Sequence, residues 1–232
     1  MSWFGLTPVE SEALRLSLWV SGWAVAVSLP FGVLAAWVLA RLKFPGKSAL
    51  DGLIHLPLVL PPVVVGYLLL VLLGSRGMLG AWLHRVFGIT FIFTWKGAAL
   101  ASAVMAFPLL VRAVRLSIEN VDRGLEAAAR TLGAGPLRVF FTVTLPLMVP
   151  GVIAGAILAF ARSLGEFGAT ITFVSNIQGE TQTLPLALYT LTQVPGGEWA
   201  AMRLCGIAIV LGLAALVASE ILARRYAARL EG

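Results

Sequence analysis

Long apolar stretches recur along this chain and constrain its fold more than any other feature. Five of them approach or exceed the length of about 20 apolar residues with which a helix crosses the hydrocarbon core of a bilayer. They are Leu14–Ala40, Leu50–Leu73, Gly97–Val111, Leu145–Val174 and Leu204–Ala223. The sequence therefore predicts an all-α polytopic membrane protein of five transmembrane helices, with its two termini on opposite sides of the membrane.

The composition excludes most soluble classes. Hydrophobic residues make up 59% of the 232 residues and charged residues only 12%, whereas a soluble domain carries about 25% charged residues. The single cysteine, Cys205, lies inside an apolar stretch, which leaves no disulfide framework and no cluster of thiolate metal ligands. The first residues lack a basic segment and carry Glu10 and Glu12, so we expect no secretory signal peptide.

Basic residues set the predicted orientation, because the cytoplasmic loops of membrane proteins are enriched in Lys and Arg. The segments after the first, third and fifth stretches hold eleven such residues, and the segments on the other side hold three. The eleven are Arg41, Lys43, Lys47, Arg112, Arg115, Arg123, Arg130, Arg138, Arg224, Arg225 and Arg229; the three are Arg76, Arg85 and Lys96. This distribution predicts that the N-terminus lies outside and the C-terminus in the cytoplasm. The 33 residues from Arg112 to Thr144 would then form a cytoplasmic segment.

Seven prolines lie in or at the edges of the apolar stretches, and each one removes a helix hydrogen bond and kinks the chain. They are Pro30, Pro57, Pro61, Pro62, Pro108, Pro146 and Pro150. Lipid cannot satisfy the freed carbonyl groups, so such breaks occur where protein or a water-filled cavity covers them. The prolines therefore favour a pathway lined by bent helices over ordinary kinks.

The two predicted outer loops differ from each other. Residues 74–97 are aromatic and mildly basic, as expected of a helix that lies in the membrane interface. Residues 175–200 contain no Lys or Arg. We predict a short amphipathic or re-entrant helix in the centre of this segment, bounded by Pro185 and Pro195.

Catalytic constellations are scarce. His55 and His84 lie 29 residues apart and on opposite predicted membrane faces, which argues against a zinc site. Residues 46–48 (Gly-Lys-Ser) end like a phosphate-binding loop, but Arg41 occupies the position of the first glycine of that motif. We interpret them as a basic turn and predict neither a catalytic nor a metal site.

The fourth stretch carries two pairs of interest. Gly151 and Gly155 predict close helix packing, either within the subunit or between subunits. Arg162 and Glu166 are the ionisable groups deepest in any stretch, and their spacing of four places them on one helix face, where they can pair. Intramembrane charges mark either function or a buried pair. We interpret these two primarily as a structural pair, with a role in a translocation pathway as the alternative.

The segment 125–151, LEAAARTLGAGPLRVFFTVTLPLMVPG, resembles the cytoplasmic signature loop of bacterial ABC importer permeases. That signature reads Glu-Ala-Ala, three residues, Gly, nine residues and Ile-x-Leu-Pro. The matching residues are Ala128, Ala129, Gly133, Val143, Leu145 and Pro146, with Glu126 one position early and Ala127 in the acidic position. The alanines offer a flat helical face to a partner groove, and Gly133, Gly135 and Pro136 predict a sharp turn after it.

The resemblance implies a type I ABC importer permease fold, in a single domain over residues 1–232, in the bacterial cytoplasmic (inner) membrane. It implies that the loop at about 112–144 docks onto a separate ATPase subunit through Glu126, Ala128, Ala129, Gly133, Val143, Leu145 and Pro146. The implied assembly is a homodimer of permeases, two ATPase subunits and a periplasmic or lipid-anchored oxyanion-binding protein. ATP and Mg would be bound by the ATPase subunits, so we expect this chain to hold no cofactor and to be no enzyme.

Residues 44–74, 126–147 and 161–191 together resemble the permeases of the molybdate/sulfate group of these importers. Five spans and the run FVSNIQGETQTLP favour molybdate as the cargo, and tungstate, its isostere, would take the same route. Two other function classes compete with this reading. An intramembrane enzyme would need His, Asp or Glu groups converging at one depth, and a secondary transporter shows paired halves, which five spans cannot form.

Overall fold

The computed structural model describes residues 6–231, except for the side chains of residues 223–224 and 226–231. Arg224 and Arg229, which contribute to the predicted orientation, lie outside the described side chains. The helices are α1 (Pro8–Arg41), α2 (Lys47–Val59), α3 (Pro62–Leu73), α4 (Met78–Phe87), α5 (Trp95–Glu119), α6 (Arg123–Thr131), α7 (Pro136–Val139), α8 (Leu145–Leu164), α9 (Gly168–Val174), α10 (Leu184–Thr192) and α11 (Glu198–Glu231). A π-helical turn, Phe140–Thr144, joins α7 to α8.

Four helices of the described chain are long and apolar enough to cross a membrane: α1, α5, the joined helix Pro136–Leu164, and α11. The helices α2 and α3 are long and apolar enough only as a pair, and the chain bends by 114° between them, so they form either a fifth, broken span or a re-entrant loop. Residues 6–231 contain no strand. The predicted all-α polytopic fold is thereby confirmed with four to five candidate spans, and the orientation of the termini stays a prediction.

The third and fourth spans differ from their predicted bounds. The helix α5 covers Trp95–Glu119 rather than Gly97–Val111, so Arg112 and Arg115 belong to a helix and the predicted loop at 112–144 begins inside it. The extension buries Val114 and Ile118 in the core, and an exposed ion pair joins Arg115 to Glu119 one turn further along the same helix, at 2.8 Å. The fourth span ends at Leu164 instead of Val174, because the chain breaks at Gly165 and restarts as α9.

One pair of prolines breaks a span. Pro61 and Pro62 coincide with the 114° bend between α2 and α3, because two consecutive residues without an N–H group cannot continue the ladder of α2. Pro62 instead occupies the first turn of α3, where the missing N–H is tolerated. Four other prolines lie inside continuous helices: Pro30, Pro57, Pro108 and Pro150.

The helix α5 is the centre of the bundle, and both α1 and α8 pack along it. Gly151 and Gly155 of α8 face Ser117 and Ala113 of α5, and a methyl group on Gly151 would collide with the side chain of Ser117. The two glycines therefore serve packing within the subunit, which the sequence left open. The largest core cluster sits on this contact and includes Leu39, Leu110, Val114, Ile118 and Met148.

Large apolar side chains remain on the outer faces of the bundle. The helix α1 exposes Trp19, Trp23, Val27, Phe31 and Leu34, and α11 exposes Ile209, Val210, Leu213, Leu216 and Val217. Apolar surfaces of this kind are suited to contact with lipid or with another membrane helix. The indole rings of Trp19, Trp23 and Trp95 pack together with centroids 5.9–6.3 Å apart, as amphipathic aromatics do at a membrane interface.

Two short helices lie within residues 74–97 and 175–200, where the sequence predicts them. The helix α4 exposes Met78, Trp82 and Phe87, which suits a place in the membrane interface. The helix α10 occupies the centre of residues 175–200, as expected between Pro185 and Pro195.

Candidate coupling and translocation sites

The segment after α5 forms a helix–turn–helix unit, which we call the coupling unit (α6, the turn at 132–135, and α7). Asp122 begins α6 as its N-cap, and its Oδ1 accepts a hydrogen bond from the Gly124 N–H at 2.7 Å. Gly133 ends the helix at a φ of +82°, a left-handed conformation that favours glycine. Its N–H donates to the Arg130 carbonyl at 2.9 Å. The predicted helix and sharp turn are therefore both present.

The carboxylate of Glu126 points into the subunit. Its Oε1 accepts hydrogen bonds from Arg41 Nη2 at 2.7 Å and from Thr144 Oγ1 at 2.7 Å. Arg41 lies in the last turn of α1, and Thr144 in the π-helical turn before α8. We call this set of three residues the Glu126 clamp. It fixes the coupling unit to two of the membrane-spanning helices of its own chain.

The predicted docking residues fall into two groups. Ala128, Ala129 and Gly133 lie on the coupling unit with exposed or half-exposed surface, and the nearby Leu132 is 88% exposed. The others lie in the continuous helix that enters the membrane bundle; they are Val143, Leu145 and Pro146. Leu145 packs against the core cluster around Leu110.

The second site is the break between α8 and α9. Arg162 Nη1 lies 2.7 Å from Glu166 Oε2, so the predicted pair is formed. The pair does not share one helix, however, because α8 ends at Leu164 and Glu166 follows the break. Glu166 Oε1 accepts a hydrogen bond from the Ala169 N–H at 2.9 Å, so the same carboxylate caps the start of α9. The Glu166 side chain is 1% exposed and that of Arg162 is 29% exposed.

The starts of α3 and α9 meet beside this pair. A methyl group on Gly168 would lie 2.8 Å from Cβ of Pro62, and one on Gly66 would lie 2.6 Å from the Ala169 carbonyl oxygen. The two glycines therefore allow the helices to pack backbone to backbone. Two interrupted helices and a half-exposed guanidinium come together here. Interrupted helices form the cargo sites of many secondary transporters, and this break is the corresponding candidate here.

A polar network fixes the loop before α10. Thr190 Oγ1 accepts hydrogen bonds from Asn176 Nδ2 at 2.8 Å and from Gln182 Nε2 at 3.3 Å. Ser17 Oγ of α1 accepts from the Leu184 N–H at 2.6 Å. The run Thr-Gln-Thr at 181–183 is buried, although in the sequence it is indistinguishable from an exposed polar loop.

An ion pair closes the same end of the bundle. Arg203 Nη2 of α11 lies 2.6 Å from Glu10 Oε1. Glu10 is also part of a capping box with Thr7 at the start of α1. A Thr followed three residues later by Glu before an apolar run signals such a helix start, so the sequence itself carries the signal of this capping box.

Comparison with known proteins identifies the family. The family described as "Binding-protein-dependent transport system inner membrane component" matches residues 28–228. The chain is 65% identical over 219 residues to the "Molybdenum transport system permease protein ModB" of Escherichia coli K12, covering 94% of this chain and 96% of that one. The protein of the same name from Haemophilus influenzae is 60% identical over 222 residues, covering 96% and 97%. The "Sulfate transport system permease protein CysT" of Escherichia coli is 38% identical over 202 residues, covering 87% and 72%.

Solved structures agree with the fold. A bacterial ABC transporter "involved in the import of the acidic polysaccharide alginate" matches with a TM-score of 0.74 and 18% identity, covering 95% of this chain and 80% of that chain. The inward-facing MetNI methionine ABC transporter matches with a TM-score of 0.66 and 18% identity, covering 94% of both chains. At these identities the likeness shows the fold of an ABC importer permease.

These findings confirm the resemblance seen in the sequence and exclude the intramembrane enzyme and the secondary transporter. The chain therefore belongs to the family of binding-protein-dependent transport system inner membrane components, and it is a multi-pass inner-membrane transport subunit rather than an enzyme.

Proposed function

We propose that this chain is the permease subunit of an ATP-driven importer that moves molybdate across the cytoplasmic membrane. Molybdate is proposed as the cargo because the sequence is 65% and 60% identical to two molybdenum transport permeases over nearly the full length of both chains. The sulfate permease is only 38% identical. Tungstate has the same charge and tetrahedral shape as molybdate, so it would follow the same route.

The proposed assembly has two copies of this chain, two ATPase subunits and an oxyanion-binding protein at the outer face. The family description names a binding protein as the partner on which transport depends. One solved neighbour is an alginate transporter in complex with a substrate-bound periplasmic protein. ATP and Mg would be bound by the ATPase subunits, and the coupling unit would dock onto them.

Cargo release by the binding protein would deliver a dianion to the membrane bundle. Arg162 has the chemistry to meet it, since a guanidinium donates two parallel hydrogen bonds to an oxyanion. Glu166 neutralises that guanidinium at 2.7 Å and would repel a dianion. Glu166 therefore argues against a tight cargo site, and we interpret the pair primarily as structural, with contact to the passing cargo as its alternative role. The chain therefore needs little selectivity of its own, and the binding protein would choose the ion.

The orientation is proposed from loop charge, with the N-terminus outside and the coupling unit in the cytoplasm. We expect a cysteine at the exposed Gln178 to react with a membrane-impermeant thiol reagent in intact spheroplasts. The exposed native Cys205 is first replaced by alanine. A cysteine at the exposed Thr131 of the coupling unit serves as the matched control and should react only after the membrane is opened. The reverse labelling pattern would overturn the orientation.

The function is tested with the purified complex reconstituted in vesicles. Addition of ATP and loaded binding protein should drive uptake of radiolabelled molybdate, and unlabelled tungstate should compete far better than sulfate. Vesicles that contain this chain without the ATPase subunits should neither hydrolyse ATP nor accumulate the ion. Uptake of sulfate at the same rate as molybdate would contradict the proposed cargo, and uptake without the ATPase subunits would contradict the proposed mechanism.

A further inference from the structure

The coupling unit has no free acid among the side chains that the structure describes. The Asp122 carboxylate caps α6 through the Gly124 N–H, and the Glu126 carboxylate is held inside the clamp. In the signature that this loop resembles, the acid belongs to the docking surface. Here the corresponding charge is used within the subunit.

Its basic residues, by contrast, face outward. Arg123, Arg130 and Arg138 are all exposed, and none of them forms an ion pair with any of the described residues. Three exposed arginines outnumber the one exposed carboxylate, Asp122, because Glu126 is buried in the clamp, so the surface that the coupling unit offers to a partner carries a net positive charge.

Two of these arginines flank a cleft. A cavity of about 410 Å³ opens between the end of α1, α6 and α7, and its lining includes Trp37, Ala127 and Pro136 as well as Arg123 and Arg130. Arg123 and Arg130 are two helical turns apart, roughly 10 Å along the axis, and so lie on one side of α6. Ala127 lies between them and leaves room for an incoming side chain. Arg41 and Glu126 both line the cleft as well, and their charges balance each other at 2.7 Å.

We propose that this cleft receives an acidic side chain of the ATPase subunit, bound between Arg123 and Arg130. The inference rests on the proposed function, because it names the chemistry of the surface onto which the coupling unit docks. An Asp or Glu would accept charge-assisted hydrogen bonds from the two guanidinium groups. The groove of the ATPase subunit must accordingly be acidic where it contacts α6.

The surroundings of the cleft favour a protein over a lipid headgroup. Leu132 is 88% exposed and Leu137 is 76% exposed, both within the coupling unit. Exposed apolar side chains rimmed by polar residues mark interaction surfaces. The alanine face of α6 adds a surface that a partner groove can approach closely.

The first test is charge reversal in the intact complex. The double variant Arg123→Glu/Arg130→Glu should weaken binding of the ATPase subunit at least roughly tenfold, which corresponds to about 1.4 kcal/mol. Arg138→Glu makes the same kind of change on the same unit but outside the cleft, and it should have a much smaller effect. The wild-type complex should also dissociate more readily as salt is raised. The milder Arg123→Gln/Arg130→Gln variant should be intermediate, which separates lost attraction from a folding defect.

The second test identifies the acidic partner directly. In an Arg130→Lys variant, a carbodiimide should join the lysine amine to a carboxylate of the ATPase subunit by an amide bond, which mass spectrometry of the complex would locate. An Arg138→Lys variant is the matched control and should give little or none of this product. Absence of a cross-link at residue 130 in an intact complex would overturn the inference.

Failure of this inference is distinguishable from failure of the proposed function. If the wild-type chain binds no ATPase subunit, the proposed function fails. If the wild-type chain binds an ATPase subunit and the Arg123→Glu/Arg130→Glu variant binds it equally well, only the proposal of an acidic groove is wrong. If the reversed arginines instead lower the amount of anionic phospholipid bound to the chain, the cleft is a lipid site and the inference is overturned.

Discussion

Replacing Glu126 with alanine is expected to uncouple ATP hydrolysis from uptake while the membrane helices remain folded. Glu126 joins α6 to Arg41 of α1 and to Thr144 before α8, both at 2.7 Å. Thr144 is 3% exposed, and the side chain of Arg41 is 13% exposed. Truncating one partner of a buried ion pair costs about 3–5 kcal/mol. The cost here falls on the attachment of the coupling unit, because the apolar packing of α1, α5 and α8 does not involve the clamp.

The expected consequence is mechanical. Once α6 is no longer tied to Arg41 and Thr144, the coupling unit keeps only its chain connections to α5 and to the continuous helix Pro136–Leu164, so movement of the ATPase subunit is passed less efficiently to the spans. The ATPase subunit should therefore still co-purify with the Glu126→Ala variant and hydrolyse ATP, whereas uptake of molybdate per ATP should fall by roughly tenfold or more, the factor equivalent to about 1.4 kcal/mol of lost coupling. The measurement is uptake and phosphate release from the same vesicles.

Two further variants test the cause. Glu126→Gln keeps an acceptor for Thr144 and removes the charge, so it should lie between wild type and alanine. Glu119→Gln removes a carboxylate from an exposed ion pair with Arg115, and exposed pairs contribute only about 0–1 kcal/mol. Normal uptake of molybdate per ATP in Glu126→Ala, or an equal loss of it in Glu119→Gln, would show that the Glu126 clamp does not couple ATP hydrolysis to uptake.

The clamp also shows where sequence-based prediction ends. The coupling helix, its turn and the spans were predictable, because apolar length, alanine content and a glycine before Gly-Pro are local signals. The direction of the Glu126 side chain was not. Its partners lie 85 and 18 residues away, and no local pattern distinguishes a carboxylate that faces a partner protein from one that faces its own chain.

The same limit applies to the break after α8. Residues 145–174 read as one apolar stretch, and a spacing of four correctly predicted that Arg162 and Glu166 meet. The helix nevertheless ends at Leu164, and α9 instead packs on α3 through Gly66 and Gly168. Hydropathy records how long a stretch is apolar. It does not record where tertiary packing and a capping carboxylate interrupt the helix.

Replacing Arg162 with alanine is expected to destabilise the folded chain more than replacing Glu166 does. Without Arg162, a carboxylate that is 1% exposed loses its partner, at a cost of about 3–5 kcal/mol. Without Glu166, the remaining guanidinium is 29% exposed and is therefore less buried than the carboxylate. The loss then includes the cap of α9 at Ala169, and losing a helix cap costs about 1 kcal/mol. Thermal unfolding in detergent, followed by tryptophan fluorescence, measures the difference.

A double variant separates a structural pair from a pathway residue. Arg162→Ala/Glu166→Gln removes both charges and keeps an acceptor for the Ala169 N–H, so it should regain most of the stability lost in Arg162→Ala. The swap Arg162→Glu/Glu166→Arg restores the opposite charges but removes that acceptor, because a guanidinium cannot accept a hydrogen bond; it should recover less. If Arg162→Ala instead unfolds at the wild-type temperature and has lost molybdate uptake, the guanidinium acts on the cargo and not on the fold.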